Sequence, residues 1–144
     1  MSLKLQLSQE FERPVEVVFK FWAADHVRNH PRWDPHIELW LDSDTPIGVG
    51  TVIRRRNSRS GTPVDGTMEV VEYEPNRAMA MVTHDGPQEI FGRAAFESLE
   101  PERTRITLTV EMPWMDDSME EFMADAIQGS LRTAKDLVET ETEP

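Results

Sequence analysis

The stretch from Met115 to Val138 most constrains how this chain folds, because it carries one long apolar stripe at helical spacing. Ser118 with Glu121 has the form of a capping box and marks the predicted start of the helix. A single stripe of this length needs an extended apolar surface to cover it. The stripe consists of Met119, Phe122, Met123, Ala126, Ile127, Leu131, Ala134, Leu137 and Val138.

The rest of the chain supplies that surface as short strands. Alternating apolar residues predict a strand over residues 3–11, and helical spacing predicts a helix from Val15 to Ala24. A second short helix is predicted over residues 26–30, ended by Pro31. Strand-like runs separated by turn signals follow at 37–41, 51–57, 64–73, 78–84, 89–99 and 104–112. Neighbouring strands with short links pair antiparallel, so we predict a curled antiparallel sheet packed against the terminal helix.

Charge and composition exclude several classes of function. The formal net charge of −12 at pH 7 repels phosphates, so nucleic acid is excluded as a partner. No run of about 18 apolar residues is present, so membrane insertion is excluded as well. Cysteine is absent, which excludes disulfides, thiolate metal sites and cysteine nucleophiles. We expect a cytoplasmic monomer or homodimer with a single domain over residues 1–144 and a frayed acidic tail over residues 139–144.

The order of these elements and several local motifs resemble the SRPBCC superfamily, also called START or birch-pollen-allergen-like. The chain is most similar to its polyketide cyclase/dehydrase branch. This resemblance implies an α+β helix-grip fold, in which a curved antiparallel sheet of about seven strands surrounds the C-terminal helix and two short helices follow strand 1. It also implies a cavity between sheet and helix, a small hydrophobic or aromatic ligand, and no metal or nucleotide cofactor. The motifs are Phe11 to Phe19, Trp33-Asp34-Pro35, Pro46 to Thr51, Val70 to Arg77, Thr104 to Thr107 and Leu131 to Glu139.

The apolar stripe is large at its ends and small in its middle, from Ala126 to Ala134. Small side chains there leave room either for a ligand or for the close approach of a strand. Seven methionines from Met68 to Met123 either fill gaps in the core or adapt to a ligand. The predicted ligand-binding residues are Met68, Val70, Met79, Met81, Ile90, Phe96, Leu108, Val110, Phe122, Ala126, Gly129 and Ser130.

Polar candidates for chemistry are fewer. Strand alternation sends at least one of Arg54, Arg55 and Arg56 towards the concave face, where it would pair with an acidic ligand group or a neighbouring carboxylate. Arg93 could also face inward and pair in this way. For each of these arginines the alternative is a solvated salt bridge on the outer face of the sheet. Some titratable side chains could also act as general acids or bases. The candidate catalytic residues are therefore Arg54, Arg56, His84 and Asp65, with Glu89 and Tyr73 as further possibilities.

Two further histidines raise the question of a metal site. His26 and His30 are spaced to share one face of a helix, as metal ligands often do. Pro31 follows at once and no third ligand has a suitable spacing, so we predict no metal and no cofactor.

Three functions stay open at this point. The first is binding of a small hydrophobic or aromatic ligand, with cyclase- or dehydratase-like chemistry if there is catalysis. The second is a carrier of lipid- or quinone-type molecules. The third is an interaction module of the chaperone-activator type, whose interior is filled and whose function lies on an exposed apolar patch. The volume of the interior cavity and the charged groups that face it distinguish them.

Overall fold

In a computed structural model that describes residues 3–143, a curved seven-stranded antiparallel sheet surrounds a long C-terminal helix. The strand order is β1-β7-β6-β5-β4-β3-β2, so only the first strand leaves the order of the chain. This architecture confirms the predicted helix-grip fold. The strands are β1 (Leu3–Phe11), β2 (Ile37–Trp40), β3 (Val52–Asn57), β4 (Val64–Glu74), β5 (Ala78–Asp85), β6 (Gln88–Glu100) and β7 (Arg103–Met112). The helices are α1 (Val15–Phe19), α2 (His26–Trp33) and α3 (Glu120–Glu141).

Strand alternation decides which side chains enter the core. β1 pairs with β7 so that Leu3 lies opposite Met112 and Leu5 opposite Val110, all facing α3. The opposite face of the sheet carries most of its charged residues and is solvated. The strict alternation of apolar and polar residues from Thr104 to Met112 in β7 follows from this one-sided burial.

The two short helices after β1 form one continuous cover over the end of the sheet. A π-helical turn, Lys20–Ala24, joins α1 to α2. α2 runs on through Pro31 to Trp33, whereas the sequence predicted an end at residue 30. Proline removes one N–H donor, but the helix continues and the Asp34 N–H donates to the His30 carbonyl at 3.0 Å.

The start of α3 also differs from the prediction. Ser118 lies in a 3₁₀ turn, Asp117–Met119, and α3 begins at Glu120. The Asp116 carboxylate accepts a hydrogen bond from the Ser118 N–H at 2.8 Å and caps this 3₁₀ turn, whereas no side-chain hydrogen bond caps α3 at Met119.

Arg13 holds the far end of α3. Its guanidinium, in a residue only 8% exposed, donates to the carbonyl of Glu139 at 2.6 Å and to the hydroxyl of Thr142 at 2.9 Å. These bonds satisfy a carbonyl that the helix leaves without a partner. Residues 139–141 of the predicted frayed tail are thus helical and anchored, while Pro144 lies outside the described residues.

Candidate functional site

A cavity of about 450 Å³ lies between the concave face of the sheet and α3. β3 to β7 form its wall, α2 closes one end, and the segment from Trp114 to Leu131 covers it. The exposed side chains of Trp114, Met119 and Phe122 lie at its rim. The space is therefore enclosed by the sheet on one side and opens beside the start of α3.

Methionine dominates the apolar part of the lining. Every methionine of the described residues faces this cavity, although they come from three strands and the α3 region. Thioether side chains are unbranched and adapt to irregular shapes, so this wall can fit more than one ligand outline. These methionines are Met68, Met79, Met81, Met112, Met115, Met119 and Met123.

A buried ion pair marks the polar end of the cavity. Arg55 of β3 donates from Nε and Nη2 to the two carboxylate oxygens of Asp85 at 2.8 and 3.0 Å. The Asn57 amide donates to Asp85 at 2.9 Å, and the Arg55 Nη1 contacts the Met68 sulfur at 3.7 Å. Both charged side chains are less than a tenth exposed, so the pair is bidentate and largely removed from water.

Gly66 of the intervening strand lies between the two partners of this pair. In the sheet register, Arg55 lies opposite Gly66 of β4, and Gly66 lies opposite Asp85 of β5. The guanidinium reaches across β4 at the level of Gly66 to the carboxylate. The backbone of β5 occupies the space of the missing group, since a Cβ on Gly66 would lie 1.6 Å from the His84 carbonyl oxygen.

Two histidines of α2, the buried His26 and the half-buried His30, form the second polar group. His26 Nδ1 lies 2.7 Å from the Trp22 carbonyl oxygen, and His26 Nε2 lies 2.9 Å from His30 Nδ1. The pKa of His26 is lowered to about 4, mainly by burial and to a lesser extent by the positive charge of Arg55, which together outweigh the hydrogen bond to Trp22. Burial likewise lowers the pKa of His30 well below its ordinary value, as do His26, Arg55 and Arg59. Both imidazoles are therefore neutral at pH 7.

Aromatic stacking holds these histidines in place. The His30 ring stacks on Trp33 at 5.2 Å, and Trp33 stacks on Trp22 at 4.3 Å. Arg59, which also lines the cavity, forms an ion pair with Asp34 directly after α2. The polar end is thus built from two internally paired arginines and two neutral imidazoles.

Of the predicted ligand-binding residues, most face the cavity and four do not. Val70 is fully buried in the core, and Phe96 packs edge-on against Phe19 of α1 at 4.9 Å. Ala126 and Gly129 lie outside the lining because α3 presents Met123, Ile127 and Ser130 instead, a stripe rotated by about one residue. A Cβ on Gly129 would meet no atom of the described residues within 4 Å, so no strand lies close to this glycine. The residues that face the cavity are Met68, Met79, Met81, Ile90, Leu108, Val110, Phe122 and Ser130.

The four candidate catalytic residues lie on the outer face of the sheet, away from the cavity. Arg56 pairs with Asp65 at 2.7 Å, and His84 lies 3.0 Å from Glu89. Arg54 lies over the Trp40 ring at 5.1 Å and pairs with Asp42 at 3.3 Å. The structure does not bring these residues to the cavity, because the inward side of β3 carries residues 53 and 55.

Arg93 and Tyr73 also make contacts elsewhere. Arg93 forms an ion pair with Glu72 at 2.8 Å, so it takes the salt-bridge alternative. Tyr73 packs edge-on against Phe19 at 5.3 Å, and burial raises the pKa of its hydroxyl.

Sequence reasoning passed over Asp85, Asn57 and the two histidines as parts of the site. One signal was available for Asp85, because it shares strand parity with Thr83, Met81 and Met79. Its position beside Gly86 instead favoured assignment to the turn. The histidines are held in the cavity wall by packing against Trp33. No local pattern in the sequence predicts this packing.

Residues 3–143 contain neither a metal-binding cluster nor a membrane-spanning helix. No cluster of three or more histidine, cysteine, aspartate or glutamate side chains is arranged to hold a metal ion. No helix in this part of the chain has the length and apolar character needed to cross a membrane.

Comparison with known proteins agrees with the geometry. The sequence profile of the polyketide cyclase/dehydrase and lipid transport family matches residues 2–139. No curated protein matches the chain.

Solved structures share the fold at low sequence identity. A START superfamily protein from Mycobacterium smegmatis is 15% identical, with a TM-score of 0.78, covering 96% of this chain and 99% of that one. The Zhui aromatase/cyclase from a Streptomyces species is 15% identical, with a TM-score of 0.70, covering 96% and 94%. A protein of unknown function from Staphylococcus aureus is 11% identical, with a TM-score of 0.79, covering 100% and 98%. At these identities the likeness shows the fold alone.

Proposed function

Because the chain belongs to the polyketide cyclase/dehydrase and lipid transport family, we propose that it binds a small, mostly apolar ligand in the cavity between the sheet and α3. The observation that carries this proposal is the methionine lining, in which every described methionine faces one space. A core that only needed filling would distribute such side chains among closely packed neighbours.

The size of the cavity supports the same proposal. Protein interiors contain few voids larger than a water molecule, whereas ligand pockets occupy about 300–1,000 Å³. At about 450 Å³ the cavity falls in the second range. This size argues against the interaction module with a filled interior and is compatible with a carrier.

A cavity-filling variant tests the proposal. Gly92 lies on the inward face of β6 and lines the cavity, and a Cβ there would meet no described atom within 4 Å. We expect Gly92→Leu to fold normally and to bind the neutral fluorescent probe N-phenyl-1-naphthylamine at least about tenfold more weakly, because its side chain occupies the cavity.

The matched control is Gly129→Leu, which adds the same side chain on α3 outside the lining. This variant is expected to bind the probe as the unaltered protein does. Equal binding by Gly92→Leu and the unaltered protein, with both folded, would contradict the proposal.

Acid–base catalysis on the bound ligand is a second candidate function. The specific observation in its favour is that ionisable and polar groups, namely Arg55, Asp85, His26 and His30, lie inside the cavity. Cyclase- or dehydratase-like chemistry needs proton transfer beside an oriented carbonyl chain. Incubation with a synthetic poly-β-keto thioester, followed by mass spectrometry, tests it: enzyme-dependent loss of water supports catalysis, and an unchanged substrate opposes it.

A further inference from the structure

The hydrogen bonds of the two histidines of α2 determine where their protons lie. A backbone carbonyl oxygen only accepts hydrogen bonds, so the contact of 2.7 Å between Trp22 O and His26 Nδ1 requires a proton on that nitrogen. A neutral His26 then has a bare Nε2, which must accept from His30 Nδ1 across 2.9 Å. In a neutral His30, the remaining nitrogen, Nε2, therefore carries a lone pair and no proton.

The surroundings keep both rings neutral. Within the described residues neither imidazole contacts a carboxylate, and His26 is the first residue of α2, where the helix dipole disfavours a cation. The nearest charged groups are two arginines, each already paired: Arg55 with Asp85 and Arg59 with Asp34. The polar end of the cavity thus has no uncompensated charge.

The lone pair of His30 faces usable space. No side chain or backbone group of residues 3–143 hydrogen-bonds to His30 Nε2. Among those residues, Arg103 Nε is the only buried side-chain nitrogen or oxygen atom that lacks a hydrogen-bond partner. His30 Nε2 also lacks a partner, so it must be accessible to solvent or to a ligand. Since His30 lines the cavity, this acceptor is open to a bound molecule.

We infer that His30 Nε2 accepts a hydrogen bond from a neutral hydroxyl group of the ligand, with His26 as the positioning residue that sets the tautomer. The ligand class is an apolar or aromatic body with one phenolic or enolic hydroxyl, and not a fatty acid or other carboxylate. A carboxylate would bring a negative charge and no proton to a site that offers a lone pair and two arginines already neutralised. The inference rests on the proposed function of the cavity.

Three probes that differ in one substituent test the ligand class. They are 2-naphthol, which donates a hydrogen bond, its methyl ether 2-methoxynaphthalene, which does not, and the anion 2-naphthoate. We expect 2-naphthol to bind about fivefold more tightly than the ether, the effect of one net hydrogen bond, and 2-naphthoate to bind most weakly. Calorimetric titration at pH 7.5 measures all three.

Two variants locate the effect. His30→Phe keeps a ring that can stack on Trp33 but removes the acceptor, so the preference for 2-naphthol over the ether should disappear. His84→Phe alters a histidine on the outer face in the same way and should leave the preference unchanged.

Nitrogen NMR of the unaltered protein tests the tautomers without any substitution. Both His26 and His30 are expected to show a protonated Nδ1 and a bare Nε2, the minor tautomer of free histidine. A proton on His30 Nε2 would overturn the inference directly.

The outcomes separate the inference from the proposed function. Equal binding of 2-naphthol and its ether, or tightest binding of 2-naphthoate, would overturn the hydroxyl site and leave the cavity as a ligand site. Failure of all three probes to bind would overturn both.

Discussion

The Arg55–Asp85 pair gives the cavity its polar end, and its energetics depend on keeping both partners. Removing two charges from water is costly, and their mutual attraction together with the Asn57 hydrogen bond offsets that cost. The pair therefore contributes orientation and polarity to the site more than it contributes stability.

Breaking the pair is expected to be far worse than deleting it. Asp85→Leu should lower the free energy of unfolding by about 3–5 kcal/mol, because Arg55 is left buried and unpaired. The double variant Arg55→Met/Asp85→Leu should lie within about 1 kcal/mol of the unaltered protein. Urea unfolding measures both; a double variant as unstable as the single one would show that the pair itself stabilises the fold.

His26 makes stability depend on pH. In the unfolded chain it takes up a proton near pH 6.5, whereas in the folded protein burial lowers its pKa to about 4. Stability is thus full above pH 6.5 and falls as the pH decreases towards 4, because the unfolded state binds the proton first; the loss is on the order of 2 kcal/mol by pH 5. Burial shifts His30 in the same direction.

Urea unfolding at pH 7.5 and pH 5 checks this dependence. His26→Gln retains a donor for the Trp22 carbonyl but cannot titrate, so it should lose less stability over this range. An identical loss in both proteins would assign the pH dependence to other groups.

At the level of elements, the register of β3, β4 and β5 assembles the site. Arg55, Gly66 and Asp85 form one row across the three strands, and the middle member must lack a side chain. The same register places Arg54 and Arg56 on the solvated face, since a change of one residue reverses the side of the sheet.

Gly66 is consequently the least replaceable glycine of the sheet. Gly66→Ala should lower the free energy of unfolding by about 3 kcal/mol or more, because its Cβ would overlap the His84 carbonyl oxygen at 1.6 Å. Gly92→Ala in β6 is the control: its Cβ meets no described atom within 4 Å, and it should be neutral or stabilising by up to about 1 kcal/mol. Comparable losses in chemical unfolding of the two variants would refute this account.

For the molecule as a whole, the cavity couples ligand binding to the contact between sheet and helix. A ligand held between β3–β7 and α3 contacts both layers and binds only the folded state. Its binding free energy therefore adds to the stability of the entire fold.

This coupling predicts a thermal shift. At a concentration about 100 times its dissociation constant, 2-naphthol should raise the free energy of unfolding by about 2.7 kcal/mol. Differential scanning calorimetry measures the shift, and Gly92→Leu, with its cavity occupied, should show almost none. A shift of equal size in that variant would indicate binding outside the cavity.

Local periodicity in the sequence was enough to predict the long helix, the strands, their turns and their antiparallel order, because each signal depends on residues near one another in the chain. The motifs then identified the helix-grip fold. Periodicity also showed that one of three consecutive arginines faces inward, but not that it is Arg55, since apolar residues of both parities, Val52 and Ile53, precede it.

Only the tertiary structure decided which of the predicted residues face the cavity and which polar groups meet there. The rotation of α3 turns Ile127 and the predicted Ser130 towards the cavity and Ala126 and Gly129 away from it, and packing against the sheet determines that rotation. The union of Arg55 with Asp85, 30 residues away, depends on the register of three strands. The neutral histidine pair depends on burial beneath stacked tryptophans. Each of these features depends on how separate elements pack together. The apolar stripe from Met119 to Val138, which first indicated the fold, does not predict them.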